Sequence, residues 1–460
     1  MTALTERQIQ IVRTLVESAP DKVVGSLRQA LADTSPESAL GGVRQLVEAE
    51  AADRTLRNLA LLPIAPMCVA ASEDSQAITF PPRVLNLIWR ALRETHGHII
   101  EQLRADVDDD SPPHNIIAAS DQLVAAAAAG VRAREIAGFR TAAEVCDAAR
   151  PDGADLLADC LDLGAIVRRA AQRLPEWLAH AGGETTAGAR LAYRDAVAIA
   201  DDAGPRFFHM LAAQMPQPWM VLRVISAVMD KPTERYLADS ELAGFGEDLM
   251  ADIDRALGAI ATLKADDGVQ AARAAAQGVD LLVQQLMEME TSVDLQREHG
   301  WGLRVHKQRA GLASVVEGRL RDAEKAVHEA LPMNTPRQRA RRPMPVLSDP
   351  PQDRLTARAM TLLSFNEQLH ATANYGGFSA ARNKLMESLG EHIDQYVDET
   401  IDQIRTGEVE NIEHAEAFLG VAARLNQLLR GGKAGELVRR RTQAALHPEQ
   451  PGRNEEWPLR

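Results

Sequence analysis

The chain is poor in aromatic residues and in cysteine, and each shortage excludes a class of protein. Aromatic residues make up 4% of the 460 positions, which argues against aromatic-rich barrels, sandwiches and carbohydrate-binding surfaces. The three cysteines, Cys68, Cys146 and Cys160, are odd in number and have no Cys-x-x-Cys spacing. They therefore predict neither a disulfide framework nor a zinc site, and a reducing cytoplasm is the simplest compartment.

Leader-like and membrane-spanning patterns are also missing from the sequence. Residues 1–10 are polar and no apolar stretch follows them, so no secretory signal is expected. The most apolar stretch, residues 59–71, contains Pro63 and Pro66. It is shorter than the ~20 residues that a bilayer-spanning helix needs. We therefore expect no transmembrane helix, and peripheral contact with a membrane surface stays open.

The motifs of the commonest enzyme classes do not occur either. There is no Walker or Gly-x-Gly-x-x-Gly phosphate loop, no Gly-x-Ser-x-Gly elbow and no His-Glu-x-x-His pair. Glu367 and His370 have the spacing of a di-iron ligand pair, but no second Glu-x-x-His accompanies them. His96 and His98 are two residues apart and would diverge on a helix. The sequence predicts no metal, no cofactor and no catalytic residue.

What the sequence does contain is helical periodicity. Apolar residues recur at spacings of three and four in several segments, among them 85–103, 242–263 and 312–327. No alternating run of β-branched residues competes with this pattern. The predicted fold is all-α, with an irregular helical bundle or α-solenoid-like body followed by a smaller C-terminal helical bundle.

Local signals place the first two helices. Thr5 with Gln8 predicts a capping box at the start of the first helix. Pro20 and Asp21 predict the end of that helix and the cap of the next. The chain is therefore expected to open with a helical hairpin.

A basic, proline-punctuated break predicts the domain organisation. No acidic residue lies between Glu329 and Asp349, a stretch that contains prolines at positions 332, 336, 343 and 345. We predict a large helical body over 1–332 with a subdomain boundary near 106–114, a basic Pro-rich linker over 333–352, a helical bundle over 353–446 and a polar tail over 447–460.

Two groups of residues are candidate interaction sites. The first consists of the linker arginines Arg337, Arg339, Arg341 and Arg342. They suit phosphates, anionic lipid or an acidic protein surface, or they stay solvated and pair with acidic helices of the same chain. The second group gathers scarce large side chains, Phe208, Met215, Trp219 and Met220. A Met-rich face suits a groove for a partner helix, and the alternative is the centre of the core.

The net charge of −14 opposes non-specific binding to nucleic acid or anionic lipid over most of the surface. The predicted function is that of a non-enzymatic cytoplasmic scaffold or adaptor that binds protein partners and self-associates. One alternative is an all-α enzyme or ligand-binding protein with a pocket in the large body. Another is a nucleic-acid- or membrane-surface-associated regulator that uses the arginine clusters, although the second helix carries few base-reading side chains.

Overall fold

The computed structural model describes residues 5–35, 39–71, 76–109, 111–179, 183–334 and 343–447. These residues are almost all helical, which confirms the all-α prediction. The chain divides into two compact units. Unit 1 comprises residues 1–232 and 237–248, and unit 2 comprises residues 233–236 and 249–460. The predicted boundary near 106–114 falls within unit 1, and the predicted linker over 333–352 falls within unit 2.

Unit 1 contains the first twelve α-helices. They are α1 (Glu6–Ser18), α2 (Asp21–Ala30), α3 (Ala39–Ala60), α4 (Arg83–Thr95), α5 (Gly97–Asp108), α6 (Pro113–Ala133), α7 (Ala137–Ala149), α8 (Gly153–Asp162), α9 (Gly164–Ala179), α10 (Gly183–Val197), α11 (Ala203–Ala213) and α12 (Val221–Met229). Short 3-10 helices lie at Ala65–Met67 and Pro218–Met220. Helix α3 is the element on which the amino-terminal helices pack.

Unit 2 contains the longest helices of the chain. It holds most of α14 (Ala243–Thr262), then α15 (Val269–Ser292), α16 (Gly300–Ala330), α17 (Asp353–Gln368), α18 (Ser379–Thr406), α19 (Ile412–Arg430) and α20 (Gly432–Leu446). The short helix α13 (Glu234–Ala238) begins in unit 2, and a 3-10 helix lies at Ala265–Asp267. Strands β1 (Met333–Asn334) and β2 (Met344–Pro345) form an antiparallel pair.

The basic segment lies inside unit 2 and does not separate two domains. Helices α15 and α16, which precede it, pack against α17, and α16 also packs against α18. The β1–β2 pair joins Met333 to Pro345 and Asn334 to Met344, so the two ends of the segment lie side by side. The prediction of a linker between a body and a separate bundle missed this packing. The four linker arginines and the tail from residue 448 lie outside the described residues.

A buried carboxylate fixes the start of α16. Glu234 Oε1 accepts a hydrogen bond from the backbone N–H of Trp301 at 2.6 Å. Its Oε2 accepts from the N–H groups of Gln296 and Gly302, each at 3.1 Å. Gly300, directly before Trp301, has φ +56°, and a Cβ there would overlap Oε1 of Glu234. This contact places residues 233–236 in unit 2, although their neighbours along the chain belong to unit 1.

The apolar stripe over residues 85–103 belongs to two helices, where the sequence predicted one. The backbone of His96 leaves the helical region with φ −128° and ψ 34°, so α4 ends at Thr95 and α5 begins at Gly97. The three and four spacing of apolar residues continues across this break, because both helices pack into the same unit. The His96 ring lies against Thr95, with 2.8 Å between Nδ1 and the threonine hydroxyl.

Helix α6 is long and apolar enough to cross a membrane by length and composition. The sequence prediction did not single out this alanine-rich stretch, and the absence of a transmembrane helix stays a prediction. Within the unit, Leu123, Val124 and Val131 of α6 are buried, and the helix packs against α5 and α8. A core helix passes the same length and composition test, so one such helix is weak support for a span.

The aromatic and methionine group around residue 208 lies in the interior of unit 1. Phe208, Met215 and Trp219 are buried, and Met220 is half-buried. The Phe208 ring stacks on Tyr193 with 5.3 Å between centroids. This burial agrees with the core alternative. Three of the four side chains are closed to solvent in this structure. Partner binding through the group stays a prediction.

Candidate functional site

The first two helices are attached to the rest of unit 1 through a small contact. The apolar cluster between them and α3 is centred on Val16, Val24 and Val47. Full burial of a valine contributes ~2 kcal/mol. Two valines alone contribute little against the conformational entropy of ordering the 13 residues of α1 and the 10 of α2. Most of the α2 surface is exposed.

Arg54 of α3 binds the end of α1. Its side chain is 5% exposed. Nη2 donates to the carbonyl of Val16 at 2.9 Å and to that of Glu17 at 3.4 Å, both in the last turn of α1. Nε donates to Glu50 and Nη1 to Asp21, each at 2.7 Å. A cation at a helix C-terminus satisfies carbonyls that have no partner in the helix and complements the helix dipole.

Arg57, one turn later on α3, binds the start of α2. It is 1% exposed, and its Nη2 donates to the second carboxylate oxygen of Asp21 at 2.5 Å. Asp21 therefore accepts from two buried guanidinium groups and makes no capping hydrogen bond to α2, contrary to the expected cap. The remaining Arg57 donors bind Oδ1 of Asn58 and Oδ1 of Asn86.

Asp53 of α3 connects the same face to α4 and α5. Its carboxylate accepts from the indole Nε1 of Trp89 at 2.8 Å. Arg93 of α4 and Arg104 of α5 each approach it to 3.3 Å. One charged face of α3 thus holds four neighbouring helices in place.

Clefts lie on both sides of the Arg57–Asn86 contact. A cleft of about 620 Å³ is formed by the α1–α2 turn, the end of α3, the 3-10 helix Ala65–Met67 and the start of α4. Two further clefts, of about 290 and 500 Å³, lie along α3. The charged residues that line these two are six arginines and three carboxylates, namely Arg13, Arg54, Arg57, Arg90, Arg93, Arg104, Glu17, Glu50 and Asp53. This surface is cationic although the chain is acidic.

The hairpin also presents apolar side chains to solvent. Ile11 and Leu15 of α1 are 51% and 63% exposed, and Val23 and Leu27 of α2 are 44% and 37% exposed. Among the described residues, five of the fifteen large apolar side chains that are exposed lie between positions 11 and 40. Four of the five belong to the hairpin and the fifth, Leu40, to α3, so the hairpin keeps apolar surface outside its contact with α3.

The unpaired charges of the hairpin are mostly positive. Within the described chain, its cationic side chains form no ion pair or hydrogen bond; these are Arg7, Arg13, Lys22 and Arg28. The carboxylates of Glu17 and Asp21 are paired with arginines of α3 and α4. Only Glu6 and Asp33 remain as unpaired carboxylates in the described part of the hairpin. Four free cations against two free anions attract negative charge.

The cysteine and histidine candidates lack the arrangement of a reactive centre. Burial raises the pKa of Cys68, Cys146 and Cys160 to about 12, so these thiols are protonated at neutral pH. Glu367 and His370 are both exposed, and His370 lies beyond the end of α17. In the part of the chain that the structure describes, no three His, Cys, Asp or Glu side chains group as metal ligands.

The charged face of α3 was not predicted from the sequence. A signal for it was present, because its charged residues follow the same three and four spacing as a buried apolar stripe; they are Glu50, Asp53, Arg54 and Arg57. Charges in this pattern are ordinarily a solvated face, and here they are mostly covered. No protein-family model, curated protein or solved structure matches the chain.

Proposed function

We propose that this chain is a non-enzymatic cytoplasmic scaffold or adaptor whose first two helices bind an acidic, amphipathic helix of a partner protein. The observation that supports this is the exposed apolar surface of the hairpin. Leu15 lies ~100° and Ile11 ~140° around α1 from Val16. A partner helix laid against them would extend the small cluster that already holds the hairpin on α3.

The charges select the kind of partner. Exposed leucines alone fit any apolar surface, whereas the free cations Arg7, Arg13, Lys22 and Arg28 favour a partner with carboxylates beside its apolar stripe. The rest of this chain is acidic and repels such a partner, which restricts it to the hairpin. Covering the exposed parts of four apolar side chains contributes on the order of 1 kcal/mol each. Together these amount to about 4 kcal/mol, and because association itself is costly, weak binding with a Kd on the order of millimolar is expected.

The test uses the purified full chain and a displayed library of random helical peptides. Enriched peptides should carry Leu or Phe at three and four spacing and an excess of Asp and Glu. A synthetic peptide of the consensus should bind the chain in fluorescence polarisation, and added salt should weaken the binding because the charges are exposed. Replacing Leu15 and Leu27 with Ser should remove binding.

The matched control replaces two exposed leucines elsewhere. Leu191 and Leu437 are 60% and 59% exposed, so Leu191→Ser with Leu437→Ser makes a comparable surface change. The control variant should bind the peptide as the parent does. Enriched peptides without excess acid, or equal binding by both double variants, would contradict the proposal. Hairpin-dependent binding to phosphatidylserine vesicles without peptide binding would assign the face to membranes. A concentration-dependent mass that falls only in the hairpin variant would assign it to self-association.

A further inference from the structure

The cleft of about 620 Å³ at the α1–α2 turn has the size and lining of a small-molecule site. Eight of its fourteen lining residues are apolar or cysteine, and small-molecule sites are concave and mostly apolar with volumes of ~300–1,000 Å³. Leu62, Pro66 and Leu85 are among the apolar residues. The six polar residues, Ser18, Asp21, Arg57, Asn58, Arg83 and Asn86, determine which ligand the cleft accepts.

Arg57 fixes the orientation of two side-chain amides at this cleft. A guanidinium group only donates hydrogen bonds, so the atoms of Asn58 and Asn86 that face it must be their Oδ1 oxygens. The Nδ2 groups are thereby turned away from Arg57. Neither Nδ2 forms a hydrogen bond within the described chain. The cleft therefore has two amide donors that are oriented and unused.

The charges at the cleft favour an anion. Asp21 is already bound by Arg54 and Arg57, so its negative charge is neutralised. Arg83 at the start of α4 is exposed and lines the cleft. In the described chain its guanidinium has no ion-pair partner. Among the residues that line the cleft, two arginines, Arg57 and Arg83, stand against one carboxylate, Asp21.

We propose that this cleft binds a small organic carboxylate that carries an apolar body. The planar carboxylate accepts from the guanidinium fork of Arg83 and from the free amides of Asn58 and Asn86. The apolar body lies against Leu62, Pro66 and Leu85. The proposal uses residues other than the exposed face of the hairpin, so it stands whether or not that face binds a partner helix.

The experiment titrates benzoate into the full chain by calorimetry and by saturation-transfer NMR. Benzyl alcohol has the same ring without the charge, acetate has the charge without the ring, and inorganic phosphate is a different anion. We expect benzoate to bind at least about tenfold more tightly than any of these three. No benzoate binding, or equal binding of benzyl alcohol, would overturn the proposal. Tighter binding of inorganic phosphate would overturn it as well.

Two variants test whether benzoate binds in this cleft. Arg83→Gln should weaken benzoate binding at least about tenfold, since it removes a charge-assisted hydrogen bond. Asn58→Asp keeps an acceptor for Arg57 and replaces the free donor with an anion, so benzoate binding should be lost and benzylammonium binding gained. Arg405→Gln, which removes an exposed cation of α18 that forms no ion pair within the described chain, should leave benzoate binding unchanged. Unaltered benzoate binding in both cleft variants, with thermal unfolding unchanged, would refute the assignment.

Discussion

Arg54 in unit 1 and Glu234 in unit 2 stabilise helix ends of opposite polarity. Arg54 donates to the last carbonyls of α1, and Glu234 accepts from backbone N–H groups at the start of α16. Each side chain comes from a distant part of the chain and each has the sign that the helix dipole favours. The same physical device therefore serves a 13-residue helix and a 31-residue helix.

The two contacts differ in how easily water can replace them. Glu234 is 7% exposed and its oxygens bind three backbone N–H groups at and just before the start of α16. Arg54 is 5% exposed, but one of its partners, Asp21, has a side chain that is 53% exposed. Water can therefore solvate part of the Arg54 network when it opens, and less of the Glu234 contact. Consequently the hairpin is the more separable element, which suits a surface that must adapt to a partner.

The largest expected effect is at the Glu234 contact. Glu234→Ala removes a buried carboxylate that accepts from three backbone N–H groups, so unit 2 should lose about 3 kcal/mol or more. Gly300→Ala should be similarly damaging, because its Cβ would overlap the carboxylate and the residue has φ +56°. Hydrogen-exchange mass spectrometry of α16 measures both losses. The double variant should lose less than the sum, since Glu234→Ala removes the overlap.

Glu298→Ala is the matched control for this contact, since Glu298 is an exposed carboxylate close to the same helix start. Its effect on exchange should stay within ~0.5 kcal/mol. If the backbone amides of α16 are equally protected from hydrogen exchange in Glu234→Ala and Glu298→Ala, the Glu234 contact is not more stabilising than the Arg54 contact.

A smaller and more local effect is expected from Arg54→Ala. It frees the carbonyls of Val16 and Glu17 and leaves Glu50 without its partner, a loss of ~2 kcal/mol. Exchange should rise in α1 and α2 while α6 and α8 stay protected. Arg255→Ala, which breaks a surface pair with Asp252, is the control and should change exchange very little. A global rise in exchange would contradict the view that the hairpin opens separately.

The smallest effects concern one histidine in each unit. Burial lowers the pKa of His209 to about 4, with help from the charge of Arg150. Burial and then the neighbouring His328 lower the pKa of His392 to about 4, against a hydrogen bond to the Leu331 carbonyl that raises it. An unfolded histidine has a pKa of ~6.5. Between these values only the unfolded chain binds the proton, so the free energy of unfolding decreases as pH falls from 6.5 to 4.

Replacing each histidine in turn distinguishes their contributions to the pH dependence of stability. His209→Gln should flatten the pH dependence of exchange in unit 1, and His392→Gln should flatten it in unit 2. Neither variant should alter exchange much above pH 7, where both side chains are neutral in either state. An undiminished slope in both variants would assign the pH dependence to other groups.

Local signals in the sequence were sufficient where neighbours along the chain decide the structure. The capping box between Thr5 and Gln8 is confirmed, with both reciprocal hydrogen bonds present at 2.9 and 3.4 Å. The apolar stripe of Leu85, Ile88 and Leu92 is buried as its spacing predicted. Such features depend on a few consecutive turns of one helix.

Contacts between distant residues were not predictable in the same way. Glu234 and Trp301 are 67 positions apart, and nothing near Glu234 indicates a helix start as its partner. Likewise, the site on α3 required knowing that α1 and α2 return to cover its charged face. A stripe of charges has the same periodicity whether it is solvated or paired, because periodicity records which face a residue lies on and not what covers that face.

The β1–β2 pair gives the arginine-containing segment a topological consequence. Its ends meet where Met333 pairs with Pro345, so the chain leaves unit 2 and re-enters it at neighbouring points. Because loop-closure entropy grows slowly with length, added residues in this segment would cost unit 2 little. The same pairing makes the segment a place where the polypeptide can be opened, as a permuted terminus or a cut, while α16, α17 and α18 remain packed together.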